Sequence, residues 1–168
     1  MMNINYRLGT LEDLNEINNL VHQAIKVMEN NGIKQLDMIY PTQEDFINDI
    51  KAEQLYVGLS YEKLVVIYVL NQECDEEYKK GQWKDEEKTF YVIHRLCVNP
   101  LFQNKGIARI TMEHIEKEAN KKGAKAVRLD VFTENPYALK LYSNCGYSRV
   151  GTVEWRKGKF FLMEKYLQ

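Results

Sequence analysis

One stretch of the 168-residue chain has the residue types and spacing of an anion site. Leu96-Cys97-Val98 closes an apolar, β-rich run, and Asn99-Pro100 signals a turn. The polar loop Gln103-Asn104-Lys105-Gly106 then leads into a helical pattern opening with Ile107-Ala108-Arg109. The first N–H groups of a helix lack intrahelical acceptors, and the aligned peptide dipoles place about half a positive charge there. Glycine lets backbone approach closely whatever it holds. A pyrophosphate cradled by the amides of Asn104 to Arg109 fits this pattern, with Lys105 and Arg109 adding charge. A solvated helix start explains those two cations equally well. The cysteines Cys74, Cys97 and Cys145 have neither zinc-ligand nor disulfide-framework spacing, so no metal site is expected. Nothing places a base beside Cys97, so it is not read as a nucleophile. His22 and His114 fall within helical patterns and read as structural.

The elements that position this stretch follow from periodicity. Ile4, Tyr6 and Leu8 alternate with polar residues, which predicts a first strand over Asn3–Leu8. Thr10-Leu11-Glu12-Asp13 is a capping box with Asp in the usual Glu place. The apolar positions from Leu11 to Met28 recur every three or four residues, predicting an amphipathic helix that stops at Asn30-Asn31-Gly32. Thr42 opens a shorter helix, and Leu55–Ser60 with Lys63–Leu70 reads as a hairpin turning at Tyr61-Glu62. Asn71–Lys88 is polar and acidic and reads as an extended loop, long enough to suggest function. Thr89–Val98 is the strongest strand signal. A helix over Gly106–Lys122 and a buried strand over Ala126–Phe132 follow. Asn135-Pro136 is an N-cap followed by proline at the first helical position, and Cys145-Gly146 closes that helix. Tyr147–Glu154 and Lys159–Tyr166 form a last hairpin. Strand–helix–strand from Thr89 to Phe132 predicts a parallel pair with a right-handed crossover, and the hairpins predict antiparallel partners. The expected architecture is α/β, a mixed sheet with helices on both faces.

Composition bounds the function. The chain is 45% hydrophobic and 28% charged, with net charge −1 and pI near 6.3, as in an ordinary globular protein. Without a basic excess, neither nucleic acid nor an anionic membrane surface is an expected partner. No apolar run reaches the roughly 20 residues of a membrane span, and Met1 to Arg7 lacks a signal-peptide core. One domain over residues 1–168, in a reduced cytoplasmic setting, is expected.

Two motifs carry a resemblance. Gln103-Asn104-Lys105-Gly106-Ile107-Ala108 follows a strand and precedes a helix. Asn135-Pro136-Tyr137-Ala138-Leu139-Lys140-Leu141-Tyr142, then Cys145-Gly146-Tyr147, forms a short helix ending in Gly-aromatic. Together they resemble the GCN5-related N-acetyltransferases (GNAT family), across nearly the whole chain and most strongly from Phe90 to Tyr166. The resemblance implies a central mixed, mostly antiparallel sheet with one splayed parallel strand pair.

It also implies acetyl-CoA as co-substrate. Gln103, Asn104, Lys105, Gly106, Ile107, Ala108 and Arg109 would hold the pyrophosphate, with Lys105 and Arg109 toward a 3′-phosphate. The main chain of Leu96, Cys97 and Val98 would grip the pantetheine arm like an added strand, and Asn135 would cap its helix and contact the CoA arm. The Val98 N–H would polarise the thioester carbonyl. The reaction implied is direct attack by an amine, whose proton must be removed. His94 and Asp130 are the candidate bases. Asp130 has a competing role, orienting Arg95 or Arg128, and His94 a competing role as a core histidine. Tyr142 matches the family's general acid toward the CoA thiolate. Gln35, Tyr40, Trp83 and His94 are the expected acceptor-side residues, with Trp83 either an aromatic wall for a cationic amine or a lid on the core. The expected partner is a small-molecule or peptide amine, and self-association as a homodimer is admitted. The alternatives are a non-catalytic acyl-CoA-binding module and an acyltransferase with a different acyl-CoA.

Overall fold

A computed structural model describes residues 2–34, 41–85 and 89–168. Its chain forms two compact units, residues 1–70 with 95–108, and residues 71–94 with 109–168. The described strands make a mixed seven-stranded sheet ordered β1-β2-β3-β4-β5-β7-β6, and β4 passes from one unit into the other.

In the first unit, β1 (Asn5–Leu8) pairs antiparallel with β2 (Leu55–Ser60), and β2 with β3 (Lys63–Asn71). The β2–β3 turn puts Tyr61 (φ 49°) and Glu62 (φ 63°) in the left-handed region that hairpin turns of this length require. Neither is the Asn or Gly that usually supplies it, so strand register overrides local preference there. A 3-10 turn over Leu11–Asp13 leads into α1 (Leu14–Asn30), and the Asp13 carboxylate accepts from the Thr10 N–H at 2.8 Å, closing the capping box. The helix ends through Asn31 into Gly32 at φ 74°. Thr42 and Asp45 form a second capping box at the start of α2 (Gln43–Lys51). Both helices bury one face, Ile17, Leu20, Val21, Ala24, Ile25, Phe46 and Ile50, against Leu55, Val57, Ile67 and Val69. Each of the larger side chains among them contributes about 1.5–3 kcal/mol on burial.

β4 (Phe90–Val98) holds an irregularity that its sequence does not announce. Arg95 sits at φ 52°, a left-handed residue within a strand. Its guanidinium Nε lies 3.1 Å from the Asp49 carboxylate on α2, an ion pair within the first unit.

In the second unit, β4 and β5 (Ala126–Phe132) are the parallel pair, in register over Phe90↔Ala126, Tyr91↔Val127 and Val92↔Arg128. β7 (Gly158–Tyr166) pairs through Phe160–Tyr166 with the whole of β5, and with β6 (Ser148–Trp155) on its other side. Helices α3 (Ile107–Lys121) and α4 (Pro136–Asn144) complete the described helices. The acidic loop after β3 is not wholly extended. Glu76–Lys80 form a 3-10 helix, because Tyr78 is drawn into the core with 3% of its surface exposed. No helix among the described residues is long and apolar enough to cross a membrane.

Candidate active site

In the first unit the loop after β4 is pinned before it turns. The Asn99 N–H donates to Val65 O at 2.8 Å, its Nδ2 to Leu64 O at 3.0 Å, and its Oδ1 accepts from the Leu101 N–H at 3.1 Å. A 3-10 turn, Pro100–Phe102, follows. Asn104 (φ 62°) and Gly106 (φ 76°) are both left-handed with Lys105 between them. This alternation turns successive amides toward one side, as in anion-binding nests. Gln103 to Gly106 are exposed, whereas Ile107 is buried against Val65 and Val66 and fixes the start of α3. A Cβ on Gly106 would meet nothing within 4 Å, so the space above this backbone is open. Lys105 Nζ rests 5.6 Å from the Phe102 ring centre. Alternation along β4 sends Leu96 and Val98 to the Val65–Ile107 cluster and Cys97 to the opposite core. Burial pushes the Cys97 thiol up to about 12, which keeps it protonated at neutral pH. Ala108 is half-buried.

Arg109 lies in the second unit, its Nε 3.2 Å from Glu113 Oε1 one turn along α3. With its side chain 75% exposed, that pair holds it only weakly.

The rest of the candidate chemistry also belongs to the second unit. Asp130 pairs with neither arginine expected for it. Arg128 stands directly across from Glu164 on β7, and its Nε donates to Glu164 Oε2 at 2.9 Å. That cross-strand partner is nearer than a residue two places along the same strand, about 6.6 Å away. Arg95 is held by Asp49. Asp130 Oδ2 instead accepts from the Tyr78 hydroxyl at 2.7 Å, and no cation pairs with it among the described residues. Burial therefore raises its carboxyl to about 6, against a partial lowering by the Tyr78 bond.

Tyr142 sits on α4, whose start is capped as expected: Asn135 Oδ1 accepts from the Ala138 N–H at 3.1 Å, and Pro136 takes the first helical position. The Tyr142 ring meets Tyr147 edge-on at 6.1 Å. Its hydroxyl makes no hydrogen bond to a described residue, and burial with the Asp130 charge pushes the phenol well above its ordinary value. His94 Nε2 lies 2.8 Å from Asn71 Oδ1 and 3.0 Å from Glu73 O. Asn71 Oδ1 also accepts from the Glu73 N–H, so both neighbours of Nε2 are acceptors and Nε2 carries a proton.

Trp83 is half-buried and packs on the core. Its Nε1–H donates to Tyr78 O at 2.7 Å, its ring stacks on Tyr78 at 5.6 Å, and the Arg128 guanidinium lies 4.4 Å from its centre. Gly81 presses against it so closely that a Cβ there would come within 2.6 Å of the indole. Gln35 and Tyr40 lie outside the described residues. Tyr78 is the site residue that sequence reasoning missed. The available signal was a lone aromatic pair, Tyr78 and Trp83, in an otherwise polar, acidic stretch.

Comparison with known proteins bears on these features. The acetyltransferase (GNAT) family matches residues 65–147. Residues 65–147 belong to the GNAT family. The matched segment contains His94, the loop from Gln103 to Arg109, Asp130, Asn135 and Tyr142. A GNAT-family acetyltransferase from Streptococcus agalactiae superposes with TM-score 0.87 at 20% identity, over 98% of this chain and 96% of that one. A Staphylococcus aureus protein assigned as an acetyltransferase gives 0.77 at 28%, over 97% and 99%. The PaiA N-acetyltransferase from Thermoplasma acidophilum, solved in complex with coenzyme A, gives 0.74 at 18%, over 98% and 99%. Among curated protein sequences none matches this chain.

Proposed function

We propose that the protein transfers an acetyl group from acetyl-CoA to a primary amine of a small molecule or peptide. The coenzyme A held by the Thermoplasma relative supports the donor class. The left-handed pair Asn104 and Gly106, with open space above Gly106, suits a pyrophosphate held by the amides of Gln103 to Ala108. Leu96 and Val98 would bond the pantetheine arm through their main chain, and the Val98 N–H would serve as a single oxyanion donor. Acetyl-CoA supplies the thioester electrophile.

An alkyl amine has a pKa of about 10.4 and must lose a proton before attack. Asp130 takes that proton, directly or through water. With a carboxyl raised to about 6 and no cation paired to it among the described residues, Asp130 is ionised at neutral pH yet a stronger base than an ordinary aspartate. His94 is the weaker candidate, since its Nε2 already donates. Tyr142 offers its hydroxyl to the charge growing on the departing sulfur.

One observation carries the reading: Tyr142 is a buried tyrosine whose hydroxyl no described residue binds, in the electrostatic reach of a raised carboxylate. The test is release of free CoA from acetyl-CoA across a panel of small and peptide amines, with calorimetry of several acyl-CoAs beside it. Release above background with one or more amines is expected. Tight acetyl-CoA binding with no release across the panel would refute the enzyme and leave an acyl-CoA-binding module. Preference for a longer acyl chain would refute acetyl as the group transferred.

A further inference from the structure

We infer that Tyr78 is a positioning residue of the acid–base centre, its hydroxyl holding Asp130 in orientation and setting the pH at which that carboxylate accepts a proton. The inference rests on the reading of Asp130 as the base. Tyr78 comes from a loop that the chemistry above does not use, 52 residues before Asp130 in sequence, and its O–H reaches Oδ2 at 2.7 Å. The phenol is the donor, because Asp130 and burial together push its own ionisation far above the ordinary range. The ring is held from several sides. It stacks on Trp83 at 5.6 Å and meets Trp155 at 6.5 Å. Its carbonyl accepts from Trp83 Nε1 at 2.7 Å and from the Gly81 N–H at 3.1 Å, and its N–H donates to Asp75 O at 2.9 Å. Trp83 is in turn anchored by Arg128, which Glu164 holds, and Glu164 also accepts from the Lys84 N–H at 3.0 Å. The hydroxyl is thus delivered to one carboxylate oxygen by a rigid chain of contacts.

The titratable groups around Asp130 can be named element by element. The 3-10 helix and its cap bring Tyr78 and Asp75, and the Asp75 charge raises Asp130. α4 brings Tyr142. β7 places uncharged Leu162 opposite. On β5 itself Arg128 is spent on Glu164, and on the β4 residues of this unit the titratable side chains are Tyr91 and His94, the latter bound to Asn71 and Glu73. Among the described residues, only Tyr78 donates a hydrogen bond that favours the ionised carboxylate.

The test compares the full-length protein with Tyr78→Phe. ¹³C NMR of labelled aspartate carboxyls, with the Asp130 signal assigned by its loss in Asp130→Asn, follows the titration directly. Loss of a hydrogen bond to a charged group predicts an upward shift of about one pH unit. The acidic limb of kcat/KM should rise equally, with a loss of about fivefold at pH 6 and near-full recovery above pH 8. If Tyr78→Phe does not fold, Trp83→Phe removes the bond to the Tyr78 carbonyl and should shift both readouts less, in the same direction. An unmoved Asp130 titration overturns the proposal. So does a moved titration with a uniform loss of rate at every pH, which marks a structural contact. Asp130→Asn with wild-type rate and limb overturns instead the assignment of Asp130 as base.

Discussion

Tyr142→Phe removes one hydroxyl that makes no hydrogen bond within the described protein, so under the proposed chemistry its cost should fall on turnover and not on folding. Full proton transfer from an ordinary phenol to a thiolate is uphill by about 2 kcal/mol. Here burial and the Asp130 charge raise the phenol further, so transfer is less favourable still. The same raise keeps the hydroxyl a donor at every working pH. Its contribution is a hydrogen bond to developing charge, about 1.5–3 kcal/mol, or about 10- to 150-fold in kcat. Because the bond forms only as sulfur gains charge, kcat and kcat/KM should fall together with the acetyl-CoA KM unchanged. CoA release followed with a thiol reagent measures this, and urea unfolding should find stability within about 0.5 kcal/mol of the parent. A kcat within twofold of the parent, in a variant of unchanged stability, would reduce Tyr142 to packing. A loss beyond about a thousandfold would exceed one hydrogen bond and refute the argument against true proton transfer.

Other outcomes follow from the same geometry. Arg128→Met strands Glu164, whose side chain is 5% exposed, and should cost about 3–5 kcal/mol. In thermal unfolding that is about 6–20 °C, and Arg128→Met with Glu164→Leu should recover most of it. Asp130→Asn should stabilise the protein above pH 6 and not below pH 4. The folded carboxyl, at about 6 against an ordinary 3.8, binds its proton more tightly than the unfolded one. Stability from protonated Asp130 is therefore complete below the unfolded value and lost as pH rises through the folded one, a difference of about 3 kcal/mol by linkage, read by urea midpoints across pH. Gly106→Val meets no steric neighbour but forces a β-branched residue to φ 76°. The backbone penalty of about 1–2 kcal/mol should weaken CoA binding about 5- to 30-fold by calorimetry, with β4 and α3 intact.

What could be read in the sequence was what neighbours in the chain decide. Helix α4 was legible end to end, because Asn135 caps, Pro136 fits the first turn and Cys145-Gly146 stops it, and its observed span is Pro136–Asn144. The loop from Gln103 to Gly106 was legible for the same reason, although the left-handed turn at Asn104 has no signature beyond that residue's tolerance for it. Arg95 was not legible. Ile93 to Val98 reads as straight strand by period, and its left-handed residue is tied to Asp49 on a helix far back in the chain. The partner of Asp130 is the sharper case. Arg128 and Asp130 share one face of β5 and invite pairing, but register sets Glu164 opposite Arg128 and takes the cation away. That one cross-strand choice leaves Asp130 to a neutral donor, Tyr78, and so leaves its carboxyl high enough to act as a base. The proposed chemistry thus depends on a salt bridge that never touches the reacting atoms. Replacing Arg128 and Glu164 together by apolar residues should preserve the fold, while a Glu164→Gln variant that freed Arg128 toward Asp130 would lower the carboxyl and weaken the base.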